Sequence, residues 1–251
     1  MQRYCIEFSY DGSNFAGYQI QPGLRTIQGE LEKALKQINN QQDTIVQASG
    51  RTDKGVHAYM QVAHFDLTVT ITENKLKRAL NSNLPPDIHV ISAKEVSNDF
   101  HARYMVTKKE YRYKINLGEY NPLERNYVYQ CCHKLNIDKM KEAIEYLEGT
   151  HDYRAFVSEN KEKENCVRTI TKATIVQSIE DQNQYIICFE GTGFLKYQVR
   201  NMIGTLLRIG EEKLEPIDMK RILLSQDRTQ AFKTAPSEGL YLAKVTYEKN
   251  R

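Results

Sequence analysis

Residues 47–58 read Gln-Ala-Ser-Gly-Arg-Thr-Asp-Lys-Gly-Val-His-Ala, a stretch in which two cations and one carboxylate lie between two glycines. Glycine serves where a backbone turns sharply or approaches a ligand closely, so the stretch predicts a loop. Asp53 lies two residues from Arg51 and next to Lys54, and neighbouring cations favour the ionised form of a carboxyl group. Such a carboxylate, beside cations that suit phosphates, is a candidate nucleophile for a nucleic-acid substrate. A solvated turn with a surface ion pair explains the same residues equally well.

The composition indicates a globular protein with one large domain or two modest ones. The chain has 251 residues, and 40% of them are hydrophobic, which is enough to build real cores. The formal net charge of +3 is too small to indicate nucleic-acid binding by itself. No apolar run is long enough to span a membrane, and Met1–Ile6 looks like the start of a strand rather than a signal peptide. We therefore expect a cytoplasmic protein with no membrane partner.

The cysteines and histidines indicate neither disulfides nor a metal site. Five cysteines, an odd number without a Cys-x-x-Cys pair, fit a reducing cytosol. The cluster Cys131-Cys132-His133 has no second cluster at ligand spacing, and there is no His-Glu-x-x-His pattern. Gly191-x-Gly193 is too short for a phosphate-binding loop, and a tight turn is the better interpretation. We expect no metal ion.

The first half of the chain predicts the split βαββαβ order of a ferredoxin-like fold. Every second residue from Tyr4 to Tyr10 is large and apolar or aromatic, as in a strand with one buried face. The elements that follow are a helix capped by Thr26, strands Ile45–Ala48 and Val62–Val69, a helix after a capping box at Thr70, and strand Ile88–Val96.

The second half repeats this order of elements without any sequence repeat. Its elements are strand Lys108–Leu117, a helix from Met140 to Leu147, strands Arg168–Val176 and Tyr185–Glu190, a helix from Leu195 to Leu207, and strand Tyr241–Tyr247. We therefore predict an α+β fold of two ferredoxin-like halves whose adjoining antiparallel sheets form a central cleft. The predicted domains are residues 1–103, which carry the Asp53 loop, and residues 104–251, which complete the cleft.

The strand from Lys108 has an aromatic face, with Tyr111 and Tyr113, and a charged face, with Arg112 and Lys114. Aromatic residues interleaved with cations suit base stacking combined with phosphate contact. An ordinary amphipathic strand with a charged outer face is the better interpretation when this strand is taken alone. Other cations available to a nucleic-acid backbone are Lys75, Lys77, Arg78, Arg103 and Lys108.

Two further segments carry charges of interest. Arg200 lies near the edge of the apolar stripe of its helix, from where it can reach a carboxylate. The segment Glu159–Asn165 has five charged residues in its first six positions and is a candidate mobile loop.

Residues 50–58 resemble the signature of the TruA family of tRNA pseudouridine synthases, and the resemblance covers nearly the whole chain. The other motifs that carry it follow in the family's order: Tyr10-Asp11-Gly12 with Phe15, Gly17, Gln19 and Gln21; Thr26-Ile27-Gln28 with Leu31-Glu32; Ala79-Leu80-Asn81-Ser82 with Leu84-Pro85 and Asp87-Ile88; Phe100-His101-Ala102-Arg103; Lys109-Glu110-Tyr111-Arg112-Tyr113; His151-Asp152-Tyr153 with Phe156; Arg168-Thr169; Gly193-Phe194-Leu195 with Val199-Arg200-Asn201 and Gly204; and Ala235-Pro236 with Gly239-Leu240-Tyr241-Leu242. So many motifs in one order are far more specific than any single one.

The resemblance implies an isomerase that converts uridine to pseudouridine in the anticodon arm of tRNA, at tRNA positions 38–40, as a homodimer and without a cofactor. It implies that Asp53 is the catalytic aspartate, with Arg51 beside it and Arg200 paired with it. The residues that the resemblance implies for substrate binding are Tyr111, stacked on the target base, and Thr52, Lys54 and His57.

The reaction breaks the bond from ribose C1′ to N1 of uracil and joins C1′ to C5 instead. The target base must first leave its stack. Asp53 would then attack either C1′ or C6 of the base, and the sequence does not choose between them. An aromatic ring such as that of Tyr111 can hold the detached uracil by stacking while the uracil turns.

Two positions depart from the family pattern. Tyr18 stands where tryptophan is common, and Lys196-Tyr197-Gln198 departs from the usual residues. We expect neither to touch the catalytic residues but both to bear on which RNA is bound. The alternatives are therefore the same chemistry on ribosomal RNA, or a non-catalytic RNA-binding relative, against which the intact Asp53 argues.

Overall fold

The computed structural model describes residues 1–158 and 165–248. Of the charged segment Glu159–Asn165, only Asn165 belongs to the described residues. Within those ranges, no helix combines the length and the apolar character that crossing a membrane requires.

The chain folds into two compact units. The first comprises Met1–Thr107 together with the chain from Tyr241 onward, and the second comprises Lys108–Leu240.

The first unit begins with the elements that the sequence predicts. They are β1 (Gln2–Tyr10), α1 (Ile27–Ile38), β2 (Gln47–Ala48), β3 (His57–Leu67), α2 (Glu73–Asn83) and β4 (Ile88–Glu95). Every second residue of β1 from Tyr4 to Tyr10 is buried, which confirms the predicted alternation. The side chain of Thr26 accepts a hydrogen bond from the backbone N of Gly29 at 3.3 Å and caps α1 as expected.

The strands of the first unit lie in the order β4-β1-β3, and both pairs are antiparallel. β2 pairs antiparallel with the middle of β3, where Gln47 lies opposite His64 and Ala48 lies opposite Ala63. α1 and α2 contact each other, and α2 also contacts β4. With the two helices as connections, this is the predicted split βαββαβ arrangement.

The second unit has its own sheet and, in the part that the structure describes, three α-helices. Its elements are β5 (Val106–Asn116, from Lys108 onward), β6 (Tyr129–Gln130), α3 (Ile137–Glu145), β7 (Gly149–Asp152), β8 (Val167–Gln177), β9 (Gln184–Gly191), α4 (Gln198–Gly210) and α5 (Pro216–Ser225). The strand order is β5-β9-β8-β7 with antiparallel neighbours, and β6 pairs parallel with β5. α3 contacts β8, α4 and α5, so the helices and the sheet share one core.

The last strand, β10 (Leu240–Tyr247), differs from the prediction. It pairs parallel with β3, where Tyr241 lies opposite His57, and from Tyr241 onward it belongs to the first unit rather than the second. The units also divide after Thr107, not after residue 103. The α+β class is confirmed, but β10 with β3 and β5 with β6 are parallel pairs in sheets expected to be antiparallel. Alternation in a sequence fixes which face of a strand is buried but not its partner strand, which explains the difference.

His64, in the middle of β3, is a buried histidine that is held neutral. Its Nδ1 accepts a hydrogen bond from the backbone N of Ala102 at 3.1 Å, which requires that nitrogen to carry no proton. Burial, with His101 and Arg3 as lesser causes, lowers the pKa of His64 to about 4.

We expect the free energy of unfolding to fall as the pH drops from about 6.5 to about 4. The folded-state pKa of His64 lies below its ordinary value, so the unfolded state binds the proton first. Stability is therefore complete above the ordinary pKa and is lost as the pH falls through the lowered one. His64→Gln should reduce the fall in the free energy of unfolding across this pH range by up to about 3 kcal/mol, because one pKa unit corresponds to about 1.4 kcal/mol.

Urea unfolding at a series of pH values measures this effect. His89→Gln is the control, because His89 is exposed on β4. A profile equally steep in the His64 and His89 variants would contradict the prediction.

Candidate active site

The Asp53 loop connects β2 to β3 in the first unit. Its residues divide by exposure: Thr52 and Val56 are buried, Arg51 and Lys54 are exposed, and Asp53 is intermediate. The buried members fix the loop, while the charged members face outward. The structure thus brings together four residues that the sequence predicted for the site: Arg51, Thr52, Asp53 and Lys54.

The loop ends in a tight turn just after Asp53. The backbone N of Val56 donates to the backbone O of Asp53 at 3.2 Å. Gly55, in the third position of this turn, has a φ of +77°, which a residue with a Cβ adopts only at a cost. The glycine predicted to mark a turn is therefore required by the backbone.

The segment from Gly12 to Tyr18 packs directly against this loop. The backbone N of Tyr18 donates to the backbone O of Thr52 at 3.1 Å. Gly17, at a φ of +111°, leaves room for Thr52 O, which would lie 3.1 Å from a Cβ. A Cβ on Gly12 would overlap the carbonyl oxygen of Val56. Two glycines thus permit a close approach of two backbone segments.

His57, expected to bind substrate, is only 2% exposed. Its Nδ1 lies 3.1 Å from the backbone N of Gly12 and 3.2 Å from Oδ1 of Asp11. The nitrogen accepts from Gly12 only when unprotonated and pairs with Asp11 only when protonated, so the two contacts belong to different protonation states. The ring also stacks on Tyr241 of β10, with centroids 4.7 Å apart. The structure therefore places His57 behind the loop rather than at its surface.

Thr52, also expected to bind substrate, directs its hydroxyl inward. Thr52 is 8% exposed, and its Oγ1 lies 2.8 Å from the hydroxyl of Tyr10. Two signals in the sequence mark Tyr10, its position on the buried face of β1 and its place in the motif Tyr10-Asp11-Gly12, but neither predicts this hydrogen bond.

Tyr111 lies in the second unit, on β5, and is 8% exposed. The edge of its ring meets Phe194, with centroids 5.1 Å apart and planes at 80°. Tyr113, on the same face, is fully buried, so it cannot stack on a base. The amphipathic-strand interpretation therefore holds for Tyr113, and Tyr111 remains the stacking candidate.

Arg200 lies in the first turn of α4 in the second unit. Its Nε donates to the backbone O of Ala235 at 2.8 Å, and the backbone N of Ala235 donates to Arg200 O at 3.0 Å. The guanidinium lies 5.4 Å from the ring centroid of Tyr197, which has a left-handed φ of 63° and precedes the helix. The departure at Lys196-Tyr197-Gln198 therefore does contact a predicted catalytic residue, contrary to expectation.

The cations offered for RNA binding differ in how they are paired. Nζ of Lys108 lies 2.6 Å from Oε2 of Glu190, and Nε of Arg112 lies 2.6 Å from Oε1 of Glu110. The neighbouring carboxylates therefore offset the charges of both cations. Lys75 and Arg78, on α2, are exposed.

Within the cluster Cys131-Cys132-His133, burial raises the pKa of the Cys131 thiol to about 11. Across residues 1–158 and 165–248, no group of three side chains is arranged to hold a metal.

These features define an α+β protein with a loop on which one aspartate lies between two cations. The sequence profile of the tRNA pseudouridine synthase family matches residues 7–105 and 143–248 of the chain. The chain belongs to this family, as the resemblance to its TruA members predicted, and is an isomerase of the kind that converts uridine to pseudouridine.

Several curated relatives are similar over their full length, and each is called tRNA pseudouridine synthase A. The protein of Limosilactobacillus reuteri (strain DSM 20016) is 45% identical over 253 residues, which cover 100% of this chain and 98% of the relative. The protein of Anoxybacillus flavithermus is 47% identical over 248 residues, 99% of this chain and 100% of the relative. Streptococcus mutans has a relative that is 46% identical over 251 residues, 99% and 100% of the two chains.

Among solved structures, a chain in the crystal structure of a Cbf5-Nop10-Gar1 complex is 13% identical. The match covers 97% of this chain and 60% of that chain with a TM-score of 0.36, a likeness too slight to bear on fold or function.

We expect Gly12→Ala to lower the free energy of unfolding by about 2 kcal/mol, because the added Cβ meets a backbone oxygen that cannot move alone. Gly193→Ala is the control, since a Cβ there has no atom within 4 Å. Urea unfolding of both variants measures the difference. Equal stability of the two variants would contradict the close approach of Gly12 to Val56.

Proposed function

We propose that the protein converts uridine to pseudouridine in the anticodon arm of tRNA, at positions 38–40, with Asp53 as the nucleophile. The observation that carries this proposal is the placement of Asp53 in a chain of this family. Asp53 is partly exposed, lies in the chain between two exposed cations, and directly follows the buried Thr52. A nucleophile needs this combination of access and fixed position.

The proposed reaction conserves all atoms of the uridine. The bond from C1′ to N1 breaks, the uracil turns, and a bond from C1′ to C5 forms. C5 loses its proton to solvent and N1 gains one, so no oxidant and no further reactant is needed. Asp53 attacks C1′ or C6, and in either route its bond to the uridine breaks again as the product forms, which restores the carboxylate. Both routes release the C5 hydrogen.

The other predicted residues take the roles that the family resemblance implies. Arg51 and Lys54, both exposed beside Asp53, bind phosphates of the RNA. Tyr111 stacks on the uracil, and its contact with Phe194 fixes the orientation of its ring. Arg200 pairs with Asp53 and keeps the carboxylate ionised.

We also propose that the protein works as a homodimer in the cytoplasm. The sequence has five cysteines, an odd number without a Cys-x-x-Cys pair, which supports a reducing compartment. The dimer rests on the family resemblance, and a single-chain mass in sedimentation equilibrium would contradict it.

Tritium release from RNA labelled at C5 of uridine tests the proposed function. We expect release from unmodified tRNA, and we expect Asp53→Asn to lower turnover by more than about a thousandfold while RNA binding changes little. Asp43→Asn is the control, because Asp43 is an exposed aspartate whose partner is Lys36.

The outcomes separate the alternatives. Release from ribosomal RNA alone would keep the chemistry and overturn the substrate. Binding without release from either RNA would favour a non-catalytic RNA-binding protein. Normal turnover by Asp53→Asn would remove Asp53 from the mechanism.

Arg200→Ala should lower kcat by about tenfold to a hundredfold, because Asp53 loses a partner that orients it. Arg221→Ala is the control, since Arg221 is an exposed arginine on α5 that pairs with Asp218. Single-turnover rates with saturating tRNA measure the effect. An unchanged rate for Arg200→Ala would contradict the assigned pairing.

A further inference from the structure

We propose that Tyr10, Gln61 and the hydroxyl of Thr52 are positioning residues that hold the Asp53 loop from behind in its reactive arrangement. The inference deepens the proposed function and rests on it, because it assumes that Asp53 is the nucleophile. It also changes the expected role of Thr52, from substrate contact to internal support.

The first part of the support is the hydrogen bond between the Tyr10 hydroxyl and Oγ1 of Thr52, at 2.8 Å. Both side chains are buried. Burial raises the pKa of Tyr10 to about 12, so its hydroxyl keeps its proton at neutral pH. Thr52 immediately precedes Asp53, and this bond therefore fixes the backbone next to the carboxylate.

The geometry of β1 directs Tyr10 to this position. The pairing of β1 with β3 shifts register near the end of β1: Phe8 lies opposite Gln61, but Tyr10 lies opposite Ala58. Such irregularities re-aim the side chains that follow them and are common beside active sites.

The second part of the support is Gln61, whose side chain is fully buried in β3. Its Oε1 accepts from Ser49 Oγ at 2.6 Å and from the backbone N of Val62 at 3.1 Å. Its Nε2 donates to the backbone O of Gly50 at 3.0 Å.

The two parts act on both sides of Arg51. Gln61 holds the backbone at Gly50, and Tyr10 holds Thr52. The loop backbone is thus fixed at two points, Gly50 and Thr52, and Asp53 directly follows the second. Small displacements of a reacting group slow chemistry strongly, by as much as about a hundredfold for 1 Å.

Tyr10→Phe tests the support, because it removes one hydroxyl and no carbon atom. We expect the single-turnover rate with saturating tRNA to fall about tenfold, while the Kd for tRNA stays within about twofold. Tyr4→Phe is the matched control. Tyr4 is buried on the same face of β1, and its hydroxyl is bonded to the backbone of Ile71 at 2.9 and 3.1 Å. Tyr4→Phe should lower the free energy of unfolding about as much as Tyr10→Phe does, and it should leave the single-turnover rate unchanged.

Variants of the partner complete the test. Thr52→Val removes the hydroxyl at nearly constant volume and should match Tyr10→Phe, while Thr52→Ser should restore most of the lost rate. The single-turnover rate of the double variant Tyr10→Phe with Thr52→Val should lie within about twofold of the rate of either single variant. Both substitutions remove the same hydrogen bond.

The outcomes are distinct from those of the proposed function. No tritium release by the unaltered protein would overturn the proposed function itself. Release with unchanged rates in Tyr10→Phe and Thr52→Val, or equal losses in Tyr10→Phe and Tyr4→Phe, would overturn the positioning role alone.

Discussion

The hydrogen bond from the buried amide of Gln61 to the carbonyl of Gly50 ties the Asp53 loop to the sheet. A buried polar group without a partner costs about 1–3 kcal/mol, so the amide and the loop backbone hold each other in one arrangement. On the other side of Arg51, the buried hydroxyls of Tyr10 and Thr52 likewise need each other as hydrogen-bond partners. Arg51 and Lys54 can face water because the polar groups of Gly50 and Thr52 have hydrogen-bond partners in the interior.

Local patterns predicted most elements of both units, and long-range pairings account for the differences. The alternation in β1 and the cap at Thr26 are properties of neighbouring residues, and both were confirmed. α2 has Thr72 rather than Thr70 as its N-cap, because two threonines two residues apart offer alternative starts. The pairing of β10 with β3 joins residues far apart in the chain, and no local pattern reports it.

The candidate site was predictable where charge and motif coincide. Asp53, Arg51 and Lys54 were identified by composition and by resemblance, and the structure places them on one loop. The inward contacts of Tyr10 and Thr52 were not predicted, because a strand pattern cannot distinguish a tyrosine that packs from one that also forms a hydrogen bond. Gln61 was not predicted either, because the observed strand begins at His57 and the predicted strand began at Val62.

The parallel pairing of β10 with β3 has a consequence for how the protein is made. Synthesis proceeds from the N-terminus, so β3 and the Asp53 loop leave the ribosome long before Tyr241 exists to stack on His57. Until then, this edge of β3 lacks its strand partner and exposes unpaired backbone groups. The second unit is synthesised entirely within this interval, so the first unit begins to fold first and is completed last.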